Sequence, residues 1–222
     1  MIRFILLLVA VPALAHEPIT TKITYTREIS RIFLTHCLSC HKEGGKAPMS
    51  LATYQEARPW AKAIKEEVHE RRMPPWGAVK GFGHFRNDMA LSQEEISLIA
   101  DWVEGGAPEG DLKYLPEKRP ADSPIFTLPK GRRVTVNATA RLPAAATLVA
   151  IQPKATGAIA SVRVLAEQPD GMIEPLLWLK NYKAGWDRVY EFRKPVLLAA
   201  GSRIRVEPPD KVSFVIVTRQ SP

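Results

Sequence analysis

Cys37-Leu38-Ser39-Cys40-His41 places two thiols three positions apart, with an imidazole directly after the second. Residues of these types at this spacing suit covalent capture of a haem. Each sulfur adds across one vinyl group, and the adjacent imidazole of His41 meets the iron from one face. The same thiols would also serve a thioredoxin-like redox dithiol or half of a zinc tetrahedron. Those chemistries need more than the chain supplies. Cys37 and Cys40 are its only cysteines, there is no second Cys-x-x-Cys or His-x-x-x-His, and no βαβ pattern surrounds the pair. The expected cofactor is therefore one covalent haem c.

Iron held by one imidazole needs a further axial ligand, and Met/His ligation is the common choice for electron transfer. Met73 is the candidate. It lies 32 positions beyond His41, in Met73-Pro74-Pro75-Trp76, where each proline keeps the residue before it out of helical geometry. A ligand there is fixed in position, and the intervening chain has room for a helix leading to the opposite haem face. Met49 follows His41 too closely, in a stretch rich in Gly and Pro. Met89 precedes a helix cap and reads as a surface or packing residue; His36, His69 and His84 are weaker rivals. With both axial positions filled the iron is closed to substrate, which favours a carrier of single electrons over an enzyme. One alternative is a haem enzyme or sensor that binds peroxide or a gas after loss of Met73. Another is a polymer- or protein-binding module with haem attached.

The elements that must position these groups are helical. Thr26 is placed to cap a helix from Arg27 that ends at Cys37, with Ile29, Ile32, Phe33 and Leu34 at helical spacing. Gly44-Gly45 breaks it. A second helix is expected from Pro59 to Glu70 or Arg71, striped by Ala61, Ile64 and Val68. Ser92 with Glu95 forms a capping box for a third helix through Ile96, Ile99, Ala100 and Val103, ended by Gly105-Gly106. This order, from helix with CxxCH through middle helix and methionine loop to terminal helix, resembles the small class I cytochromes c over roughly Thr26 to Asp111.

Composition changes near residue 112. Between His16 and Asp111 there are 12 Lys and Arg against 14 Asp and Glu, a net of −2; from Leu112 onward the count is 18 against 9, a net of +9, with no His or Cys. The positive total therefore belongs to the second half. Such a face suits an acidic redox partner, an anionic membrane surface or an acidic polysaccharide, although the cations are scattered as on an ordinary solvated surface. Redox proteins, acidic ones among them, are the expected partners, and nucleic acid is not. Residues Met1 to Ala15 carry Arg3, an apolar run from Phe4 to Val11 and Ala13-Leu14-Ala15, the pattern of a cleaved secretory signal. The apolar run is shorter than the roughly 20 residues of a membrane span. A periplasmic or otherwise exported protein is expected.

From Ser123 the pattern becomes short alternating runs, Val134-Thr135-Val136, Val162-Arg163-Val164, Ile204-Arg205-Val206 and Val212 to Val217, with turns at Pro169-Asp170-Gly171 and Ala200-Gly201. These predict a β-sandwich. The expected architecture is α+β and multidomain: signal 1–15, all-α haem domain 16–111, linker 112–124, all-β sandwich 125–222. The two halves together resemble bacterial proteins in which a c-type haem domain precedes a copper type II, ascorbate-dependent monooxygenase-like region. Arg58 to Ile64, Met73 to Trp76, Gly81 to Phe85, Ser161 to Val164, Pro169-Asp170-Gly171, Leu177 to Lys180, the Trp186 region and Pro195-Val196 carry that likeness. Copper-bearing relatives have a His-x-His pair where this chain reads Lys154-Ala155-Thr156, and a later methionine in a segment shortened here near Pro208 to Val212. Because type II copper depends largely on imidazoles, copper is not expected.

Overall fold

Thr24, with extended backbone at φ −128° and ψ 159°, caps a π-helical turn Tyr25–Ile29 that runs directly into α1 (Ser30–His36). Its side chain accepts from the Arg27 amide, while Glu28 accepts from the Thr24 amide at 2.9 Å. The cap thus lies two residues before the Thr26 expected from sequence. Thr26 lies inside the turn instead, fully buried, and its amide donates to the Glu109 carbonyl at 2.9 Å. Alongside, the Tyr25 amide donates to the Pro108 carbonyl at 3.0 Å. These bonds join the two ends of the helical half. Gly110 adopts φ +88° against them, and a Cβ there would lie 2.5 Å from Thr26 Oγ1, so a side chain has no space. The computed structural model describes residues 22–86, 88–117, 126–210 and 212–220. The expected signal segment, His16 and the linker prolines Pro120 and Pro124 lie outside them.

The single middle helix expected from Pro59 is divided. Thr53 and Glu56 form a capping box that starts α2 (Tyr54–Ala57) earlier, and Pro59 falls within a 3-10 turn, Arg58–Trp60, ahead of α3 (Ala61–His69). Helical geometry is lost after Glu70, because Arg71 takes the left-handed region at φ 55°. The Ser92–Glu95 box starts α4 (Gln93–Glu104), as its spacing predicts, and Ile96, Ile99 and Trp102 face inward. Phe33 and Trp102, both fully buried, meet edge to face with centroids 6.4 Å apart. The Trp102 indole donates to Pro108 at 3.0 Å. Among the described residues no helix is long and apolar enough to cross a membrane.

The second half comprises β1 (Arg132–Val136), β2 (Thr139–Arg141), β3 (Ala146–Lys154), β4 (Ala158–Glu167), β5 (Ile173–Lys183), β6 (Tyr190–Leu198), β7 (Arg203–Glu207) and β8 (Ser213–Gln220). They form two antiparallel four-stranded sheets, ordered β1-β8-β3-β6 and β2-β7-β4-β5. Alternation explains the packing: Val162, Val164 and Ala166 of β4 point inward, with Val162 opposite Leu179 and Val164 opposite Leu177. The outer face of the second sheet carries Arg163, Arg203 and Arg205 paired with Glu167 and Glu207. These three arginines are therefore paired within the sheet rather than free.

The two halves also share a core. Trp76, Ala78, Phe85 and Ala90 are buried in the same apolar cluster as the sandwich interior. Residues 77–86 lie along β5 and β6, the strands that end each sheet on that side. The Val79 amide donates to Trp178 and the Lys180 amide to Gly77, both at 2.9 Å; farther along, the Arg86 amide donates to Glu191 at 2.9 Å and the Arg193 amide to His84 at 2.7 Å. Edge strands that would otherwise present unpaired backbone are thereby covered. Gly83 makes the approach possible: at φ +82°, an added Cβ would sit 2.4 Å from the Leu176 carbonyl oxygen.

Candidate functional site

The last turn of α1 delivers the thiol pair. The Cys37 amide donates to Phe33 at 2.8 Å, and the Cys40 and His41 amides both return to the Cys37 carbonyl, at 3.0 and 2.9 Å. Cys37-Leu38-Ser39-Cys40-His41 is consequently a closed turn that holds both sulfurs and the imidazole in one register. Neither thiol is in a disulfide. Burial pushes the Cys37 thiol up to about 12, with Cys40 and Glu95 adding to the rise. The His41 ring is aimed by the chain that follows. Its Nδ1 lies 3.1 Å from the Met49 carbonyl oxygen, an atom that only accepts, so Nδ1 carries the proton and Nε2 has its lone pair available. Burial lowers the His41 pKa, against a smaller upward effect of the Met49 hydrogen bond, which favours the neutral ring a metal requires.

A cavity of about 830 Å³ lies over this turn. Cys37, Cys40, His41 and Met73 all line it, so the four residues singled out by sequence come to one space from two separate segments. Ile64 and Val68 of α3 contribute apolar wall, and Phe126, Trp186 and Arg188 close it from the sandwich side. The volume is in the range of about 300–1,000 Å³ typical of cofactor pockets. Two thiols, one imidazole with a free ring nitrogen, thioether sulfurs and an apolar wall are the donor set and surroundings of a covalently attached haem. The residues present fit that group.

Met73 is 38% exposed. Its amide donates to the Glu67 carbonyl at the end of α3, 3.1 Å away. Beyond the prolines foreseen from sequence, the sandwich holds this loop. Asn181 Nδ2 donates to the Glu70 carbonyl at 2.8 Å, Arg188 Nε to the Pro75 carbonyl at 2.7 Å, and the buried Tyr190 hydroxyl to the Trp76 carbonyl. Met49 and Met89 also border the cavity, and Met89 packs against the shared core, in keeping with its assignment as a packing residue. His36 borders it too, but its ring nitrogens are engaged at 3.1 Å each by the Met89 carbonyl and Glu95. His69 and His84 are exposed. The sandwich residues escaped sequence reasoning because nothing local in Phe126, Trp186 or Arg188 signals a contact with residues some hundred positions earlier.

Residues 27–106 match the family model for cytochrome c. The match spans the thiol turn, the methionine loop and α4, and ends before the second half. It supports a haem-binding electron-transfer protein with the haem attached covalently. No curated protein and no solved structure matches the chain.

Proposed function

We propose that this chain is an exported monohaem c-type cytochrome that carries single electrons between redox proteins, with Cys37 and Cys40 as the thioether attachment points and His41 and Met73 as the axial ligands. Haem supplies a one-electron iron couple, and Met/His ligation sets its potential above that of a bis-His site. The chain's own work is positional. Met49 fixes the tautomer of His41, and the apolar wall excludes water, which favours the less charged reduced iron. The observation that carries this reading is the convergence of Cys37, Cys40, His41 and Met73 on one cavity, with the His41 Nδ1 already committed.

Export is supported by the basic start, apolar run and Ala13-Leu14-Ala15 of the first fifteen residues. The sandwich is copper-free in this proposal, since Leu112 to Pro222 contains no histidine. It serves stability, by holding the methionine loop and closing one side of the cavity. The test is the mass of exported protein after denaturation, together with its ferric spectrum. Retention of one haem mass and a weak band near the red end, the signature of methionine–iron bonding, is expected. Colourless protein with both thiols open to alkylation would overturn the proposal.

A further inference from the structure

Arg188 is a half-buried cation on the cavity wall, and among the described residues its guanidinium forms no ion pair with a carboxylate. Its Nε is used on the Pro75 carbonyl at 2.7 Å, and its Cζ stands 4.3 Å from the Phe126 ring centroid. Those contacts hold the plane of the group while leaving the Nη edge for another acceptor. Burial lowers the pKa of this guanidinium, against smaller opposing effects of Tyr190, Cys40 and neighbouring groups. A cation placed this way is costly unless an anion meets it. The other charged groups on the wall are differently placed: Glu67 is engaged by Arg72 at 3.1 Å, and Lys46 is exposed to water.

The cofactor of the proposed function brings the missing anion, because a haem carries two propionate carboxylates on an otherwise apolar ring. We propose that Arg188 binds a haem propionate, so that the sandwich supplies a residue of the cofactor site itself. The planar guanidinium fork matches a carboxylate as a point-charge lysine does not. This assignment rests on the haem reading above and goes beyond it by giving the second half a defined ligand group. Pairing removes an unpaired negative charge beside the iron, which otherwise favours the ferric state, so Arg188 raises the potential.

The test uses the exported full-length protein with Arg188→Gln and Arg188→Lys. Resonance Raman propionate bending bands and the midpoint potential are read together with the methionine–iron absorption. Arg188→Gln is expected to shift the bending bands and move the potential negative with the methionine band retained; Arg188→Lys is expected to preserve more of both properties. Bending bands in Arg188→Gln identical to those of the unsubstituted protein would overturn the assignment. Loss of the methionine band in both variants with unshifted bending bands would also overturn it, by reducing Arg188 to a support for Pro75. Unsubstituted protein without covalent haem would sink the functional reading as well, and is distinguished by its mass.

Discussion

The Tyr190 hydroxyl donates to the main-chain carbonyl of Trp76, a residue 114 positions earlier, and both side chains are almost wholly enclosed. The bond fastens the segment after Met73 to an edge strand of the sandwich. Burial raises the Tyr190 phenol well above its ordinary pKa, with Tyr182 adding to the rise and Arg188 opposing it, so the proton needed for the bond is present across the physiological range. Tyr190→Phe leaves that carbonyl without its donor and should cost about 1–3 kcal/mol. Denaturant unfolding of the full chain measures the loss, and weakening of the proposed methionine–iron band would show that it reaches the Met73 loop.

Gly83 should be intolerant of alanine for two separate reasons. The positive φ strains an L-residue, and the Cβ would press on the Leu176 carbonyl. Gly83→Ala is expected to destabilise the protein by at least about 1–3 kcal/mol and to speed protease cleavage within residues 77–86. An unchanged midpoint of thermal unfolding would contradict this account of how the segment docks.

Three methionines border the cavity, and spectroscopy separates them. Met73→Ala should abolish the red-end ferric band and open the iron to cyanide. Met49→Ala and Met89→Ala should retain the band. Its survival in Met73→Ala would transfer the ligand role to one of the other two.

Glu95 gives the helical half an acid-sensitive fastening. Burial alone would raise its carboxyl pKa, but the Ser92 amide, the charge of His36 and further hydrogen bonds from Ser92 and His36 outweigh it and hold it below the ordinary glutamate value. A depressed native pKa means that the contribution is complete above the unfolded value and is lost as pH falls through the folded one. Stability of the unsubstituted protein should decline below about pH 4.5, and Glu95→Gln should flatten that limb while lowering stability at pH 7. Urea midpoints measured from pH 3 to pH 7 give the comparison.

Local chemistry made much of the molecule legible. The thiol turn follows from the spacing of Cys37, Cys40 and His41, α4 from the reciprocal bonds of Ser92 and Glu95, and β4 from the alternation of Val162 and Val164. What stayed hidden depends on distant partners. Thr24 and Thr26 are equally good caps in isolation, and the docking of residues 108–110 on this turn, which buries Thr26, is a contact that local sequence does not reveal. Gly81 to Phe85 reads as part of the haem half by position alone, yet its apolar residues have their counterparts in β5 and β6. The Arg188 side chain resembles any other cation in a basic stretch until the fold turns it toward the cavity.

The strip from Gly77 to Arg86 limits where the chain can be divided. A gene cut at the compositional seam near residue 112 would separate Trp76 and Phe85 from the surface that shelters them, and would strip two strand borders bare on the other fragment. Both pieces would be sticky, and each would fit the other better than any solvent. Expressed apart, neither half would therefore keep the shelter that the other gives it.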